Sequence, residues 1–168
     1  MFLNDTNRVI TVKFVDRKKI FLYSITLKKV RYTCNAWYIL LKIYRGLSQM
    51  PKYQNSYRME PQNPFKIDLV DKIVKSVMNN RFDEITYDNA EVIKLCNDIA
   101  AEIRRRVKKL NFDRHKIIVV VTIIEKVSQS VETTLGFLWD NERDKYSAFS
   151  FEGRTFHAQC SVFGIYYE

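Results

Sequence analysis

Glycine and proline are scarce, at four and three residues in a chain of 168. That excludes collagen-like, elastic and low-complexity architectures, which need one or both in quantity. Cysteine is scarce too: Cys34, Cys96 and Cys160 are odd in number, widely spaced and matched to no zinc or redox spacing. A disulfide framework is therefore excluded, and the thiols are expected to stay reduced inside a cell. Histidine occurs twice, as His115 and His157, without the Cys or Asp/Glu spacing of a zinc site. No apolar run approaches the roughly 18–20 residues that span a bilayer; the longest, 36–43 and 117–124, are too short. The first five residues lack the basic-then-apolar order of a secretory signal. No Gly-rich phosphate loop is present. These absences lead to the expectation of a soluble intracellular protein with no cofactor and no membrane partner.

Acidic residues are nearly missing from the first fifty positions, where Asp5 and Asp16 face ten lysines and arginines. The remaining residues hold 18 basic and 17 acidic side chains. The net charge of +9 thus belongs almost wholly to the first third of the chain. A polar stretch over 48–56 reads as a linker, and Pro61 and Pro64 keep 59–64 extended.

Residues 8–15 and 20–27 are rich in β-branched and aromatic residues, with 16–19 able to turn between them. A lone two-stranded hairpin is marginal in water, so this segment needs another surface to pack on. It reads as a basic arm for phosphate or anionic membrane surfaces, as an accessory hairpin, or as no part of the working protein. The last two are preferred, with Met50 expected as the natural start and 1–49 as an over-extended gene model.

What is present in quantity is apolar material, 46% of the chain, enough for one packed domain. Residues 68–80 predict a helix, with Leu69, Ile73 and Val77 recurring beside Val70 and Val74, and Asp68 as N-cap. A second helix is expected from 88 or 89 to about 110, with Val92, Leu95, Cys96, Ile99, Ile103, Val107 and Leu110 as its stripe. The basic run 104–109 reads as a solvated helix end rather than a phosphate site. The period then changes to two. Residues 117–124 read as a strand covered on both faces, 131–139 as an alternating strand, and 146–152 and 156–167 as two more. The fold class expected is α+β: two N-terminal helices packed on one face of a four-stranded antiparallel meander.

This order of elements, with Phe112-Asp113-Arg114-His115-Lys116 entering the first strand, resembles the Tctex-type dynein light chains. Phe137-Leu138-Trp139-Asp140, the polar turn Asn141-Glu142-Arg143-Asp144 and Val162-Phe163-Gly164 match the family pattern. Tyr57-Arg58-Met59-Glu60-Pro61 is similar to the type 2, ciliary members. The resemblance covers 57–168, which gives a domain there and an extension over 1–56. It implies a non-catalytic dynein light chain that supports microtubule-based, ciliary or intraflagellar transport, in the cytoplasm, cytoskeleton and cilium or axoneme. Its implied partners are a dynein intermediate chain and another Tctex-type light chain, as homo- or heterodimer. The family dimerises through the sheet by sharing a strand, commonly the second. Val131, Thr133, Leu135, Phe137 and Trp139 are therefore the expected dimer and partner-strand residues, with the intermediate-chain segment in the groove beside them.

Two other classes compete. Catalysis finds little to work with: His157 and Cys160 are three apart on one strand and point to opposite faces. A nucleic-acid-binding module acting through residues 1–49 is the alternative, since Tyr23, Tyr32 and Trp37 lie among the basic residues.

Overall fold

The structure, a computed structural model, describes residues 8–16, 19–28, 60–83, 85–88, 90–127 and 130–167, the first two stretches as backbone. The linker expected over 48–56, Met50 and Cys34 lie outside them. The elements run β1 (Arg8–Asp16), β2 (Lys19–Lys28), α1 (Ile67–Phe82), α2 (Val92–Lys108), β3 (His115–Glu125), β4 (Ser130–Leu138), β5 (Lys145–Glu152) and β6 (Phe156–Tyr166). They fall into two compact units, one holding β1, β2 and β4, the other α1, α2, β3, β5 and β6.

In the helix-backed unit, α1 buries Val70, Val74, Val77, Met78 and Phe82. The stripe is rotated from the expected one: Leu69 is 39% exposed and Ile73 half-buried. Asp68 is not the N-cap. That position is Lys66, which makes no side-chain cap bond, and Asp68 sits inside the first turn, where its charge still suits the positive end of the helix dipole. α2 starts later than expected because Asp88 builds a turn first, its side chain accepting from Ala90 N at 2.9 Å and its carbonyl from Val92 N at 3.0 Å. Val92, Cys96, Ile99, Ile103 and Val107 are buried as the periodicity requires.

The sheet beneath the helices has the order β3-β6-β5, all antiparallel. β3 pairs with β6 from His115↔Tyr166 to Glu125↔Phe156, and β5 with β6 from Lys145↔Gly164 to Glu152↔His157. The α+β class with two helices on the sheet is as expected, but the strands do not form a meander. The second of the four, β4, pairs elsewhere, and the last, β6, takes the centre. A central strand backed on both sides has to tolerate cover on both faces. β6 meets that condition, being buried at every position from 160 to 166, whereas Glu132, Thr134 and Leu138 of β4 are exposed.

α2 packs against β3, α1 against β5, and the helices against each other. Val119, Val121, Ile123, Ala158, Cys160 and Val162 meet them in one core. Phe82 lies 5.3 Å from Phe151 and 5.2 Å from Phe156, centroid to centroid. Val120, Thr122, Ser161 and Phe163, which alternate to the opposite face, are buried as well.

Residues 60–66 have no helix or strand and are stitched to the α2–β3 connection. Asn63 accepts from Asp113 N at 2.9 Å and donates from Nδ2 to the Leu110 carbonyl at 2.8 Å. Phe65 then turns inward onto Gly164, where an added Cβ would lie 2.2 Å from Phe65 Cδ2. The Phe-Gly step near the end of the chain is thus a fit between a ring and a missing side chain.

In the other unit the order is β1-β2-β4. β1 and β2 form the expected antiparallel hairpin, from Arg8↔Leu27 to Asp16↔Lys19. The further surface that such a hairpin needs is β4, which pairs with β2 from Ile20↔Leu138 to Lys28↔Ser130.

Candidate partner interface

β4 is built as a one-sided strand. Val131, Thr133, Leu135 and Phe137 share a face by alternation and are half-buried; on the other face Glu132, Thr134 and Leu138 are exposed, Leu138 by 62%. Trp139 falls just beyond the strand end and is half-buried. Its ring stacks on Phe137 at 4.0 Å between centroids and 4° between planes. The five residues expected at a partner interface therefore lie together along one strand and its first following residue. β4 ends its sheet: β2 covers one edge, and no described strand pairs with the other. Edges of this kind offer backbone N–H and C=O groups to an added strand.

The connection after Trp139 anchors the helix-backed unit. Asp144 is 1% exposed and its Oδ1 accepts from Tyr166 N at 2.7 Å. Arg143 reaches Glu60 at 3.3 Å and lies 5.1 Å from the Tyr166 ring centroid. His115 sets Nδ1 2.5 Å from the Asp113 carbonyl and Nε2 3.2 Å from the Arg143 carbonyl. Carbonyls only accept, so the ring donates to both when both nitrogens carry protons. Arg114, before it, has φ of 52°, and Asn111 φ of 50°. The motif entering β3 is thus a tight corner held by side chains.

Little in the described residues suggests chemistry. Cys160 lies in the core and burial pushes its thiol up to about 12; Cys96 is pushed up to about 12 by burial, opposed by a hydrogen bond with the Ile123 backbone. His157 is half-buried on the other face of β6 from Cys160. Among the described residues no three His, Cys, Asp or Glu side chains are grouped to hold a metal. An open groove of about 470 Å³ between the end of α1 and the start of α2 is lined by Ile85, Tyr87, Asp88, Leu95 and Phe156 among others. In the basic run at the end of α2, Arg106 is held by Glu102 at 2.5 Å, and the same carboxylate takes Arg81 at 2.7 Å. The Arg81 hydrogen bond, then that of Arg106, holds the Glu102 carboxyl below the usual range against the opposing effect of burial.

The sequence model of the Tctex-1 family matches residues 64–165, which run from the strap before α1 almost to the end of β6. The chain belongs to the Tctex-1 family. It is 31% identical over 117 residues to dynein light chain Tctex-type protein 2 of Homo sapiens, covering 70% of this chain and 59% of that relative. Dynein light chain Tctex-type 5-B of Xenopus laevis is 31% identical over 115 residues, 68% of this chain and 65% of its own. Dynein light chain Tctex-type protein 2B of Danio rerio is 26% identical over 125 residues, 73% and 83% of the two chains. The Tctex-1 chain described here thus spans about three fifths of the length of the first two. The match includes β4 and leaves out β1 and β2. Sequence reasoning missed that β2 pairs with β4. The available signal was the hairpin's need for a third strand, together with a matching run of alternate apolar residues in β4.

Proposed function

We propose that this Tctex-1 chain is a non-catalytic dynein light chain, a dimeric adaptor that binds an extended segment of a dynein intermediate chain. β4 supplies the pairing surface, with Val131, Thr133, Leu135, Phe137 and Trp139 toward the partner. The partner chain is a second Tctex-type light chain, and the assembly serves microtubule-based, ciliary or intraflagellar transport. The domain proper is 57–168, and residues 1–56 are an extension.

The observation that carries this reading is the place of β4. It lies inside the stretch matched by the family, yet pairs outside the helix-backed sheet and ends its own sheet. A strand so placed can add to a sheet or accept a peptide strand without disturbing the core. The test is affinity capture with the full chain from ciliated-cell lysate, with bound proteins identified by mass spectrometry. A dynein intermediate chain recovered together with another Tctex-type chain is expected. Leu135→Pro, which removes a backbone N–H from the middle of β4, should lose both. A folded bait that recovers ribonucleoproteins alone, or no dynein subunit, overturns the proposal and favours the nucleic-acid alternative.

A further inference from the structure

The register between β2 and β4 matches more than hydrogen bonds. It places Phe21, Tyr23, Ile25 and Leu27 opposite Phe137, Leu135, Thr133 and Val131. Residues opposite one another in an antiparallel pair share a face. The alternate positions of β2 on that face are all apolar, and they share the side of the sheet on which β4 carries the residues assigned above to the partner. Its intervening positions, Leu22, Ser24, Thr26 and Lys28, fall opposite Gly136, Thr134, Glu132 and Ser130. The pairing runs the whole length of β4, from Ser130 to Leu138, with no slip. A one-residue slip would turn the apolar set of β2 to the polar face, so the register is strongly specified.

We infer that the N-terminal hairpin is an intramolecular cap on the partner strand: β2 holds one edge of β4, and an incoming strand gains that edge by displacing it. This rests on the reading of β4 as the partner strand. A strand has two edges. With β2 on one, β4 can extend a sheet by its outer edge but cannot lie between two other strands. The hairpin thus sets the fraction of chains able to take β4 into a partner's sheet, and the apparent affinity falls by that fraction. A hairpin closed about 90% of the time weakens capture about tenfold.

The experiment locks the hairpin in the full-length chain. Ser24→Cys with Thr134→Cys puts two thiols at facing positions, one of them at the exposed Thr134. Thr26→Cys with Glu132→Cys is the second pair should the first fail to fold. Glutathione disulfide oxidises each pair, and peptide mapping places the bond. Oxidised and reduced baits are then compared in capture of a dynein intermediate chain and a Tctex-type chain from the same lysate. The 24–134 or 26–132 bond should form, and the reduced bait should capture at least about tenfold more of both. Failure of either folded pair to cross-link overturns the cap. Cross-linking with equal capture also overturns it and leaves the adaptor proposal standing. Capture by neither bait, with the Thr134→Cys and Ser24→Cys single variants equally inactive, overturns the adaptor proposal and the cap with it.

Discussion

The two sheets of this chain are made from strands of similar length and composition, and they are held by different means. The sheet of β3, β6 and β5 is backed by two helices and has a central strand closed on both faces. The sheet of β1, β2 and β4 carries no helix among the described residues, and its third strand is half-buried on one face and exposed on the other. Helix-backed burial of Met78, Ile99, Ile103 and Phe156, all less than 2% exposed, gives the first sheet its energy. The second depends on ladder bonds and on pairs such as Phe137 on Trp139. One is closed over by helices; the other ends on a strand with an edge that no described strand pairs.

The comparison can be strained from its stronger side first. Ile103→Ala opens a hole in the helix-backed core and should cost about 2–5 kcal/mol, read as a lower denaturant midpoint. A change under about 1 kcal/mol, small for a buried Ile→Ala, would place the core elsewhere. Gly164→Ala forces a methyl against Phe65 and should cost about 1–3 kcal/mol. Adding Phe65→Leu should recover part of that loss, because the two positions share one contact; strict additivity would remove the fit between them. Trp139→Ala tests the weaker side. With the ring half-buried and stacked on Phe137, its loss should cost about 0.5–1.5 kcal/mol for the ring pair on top of the apolar area it exposes, and leave hydrogen-exchange protection of β3 and β6 unchanged. Loss of protection in those strands would tie Trp139 to the core.

The smallest expected effect is a pH dependence. Glu102 has its carboxyl lowered first by Arg81, so it contributes stability above the unfolded value near 4.3. That contribution is lost as pH falls through the lower folded value. With Arg81 48% exposed, it should amount to about 0.2–1 kcal/mol. Glu102→Gln should flatten the urea midpoint between pH 5 and pH 3 by that amount; an unchanged slope would mean that other carboxylates dominate. The thiols offer an independent check. With Cys96 and Cys160 pushed up to about 12, both should react with a thiol reagent at pH 8 far more slowly than an unfolded thiol. Prompt labelling of either would show that its surroundings open.

Helices and strands were legible in the residues because each carries its own period. The stripe Val92, Cys96, Ile99, Ile103 and Val107 reads directly as the buried face of α2, and the alternation from Val131 to Phe137 as one face of β4. Which strand lies beside which was not legible. Alternation reports which way a side chain points and is silent on neighbours, so a meander and the order β3-β6-β5 fit the same pattern equally well. No apolar run marked the central strand: the longest, 117–124, lies in β3, whereas His157, Gln159 and Ser161 interrupt β6, whose cover on both faces is visible only in its burial. In α1 the stripe turned from Leu69 toward Val70 because the adjacent apolar pairs Leu69-Val70 and Ile73-Val74 satisfy two helical faces, and only the docked sheet chooses between them. The candidate site was half legible: Val131, Thr133, Leu135, Phe137 and Trp139 lie together, but the occupant of the adjoining edge lies more than a hundred residues upstream.

The position of β6 has a consequence for how the molecule comes into being. A ribosome delivers α1, α2 and β3 well before it delivers Phe156–Tyr166, and β3 and β5 have no bond to each other except through that strand. Until it emerges, two amphipathic helices, the apolar strand β3 and the alternating strand β5 wait as an open nascent chain with their greasy sides uncovered. β1 and β2 are adjacent in the chain and need no such delay to meet. Birth order therefore delivers the hairpin ahead of the helix-backed unit and the central strand of that unit after its other elements, and any holding factor that guards the growing chain has to stay until β6 arrives.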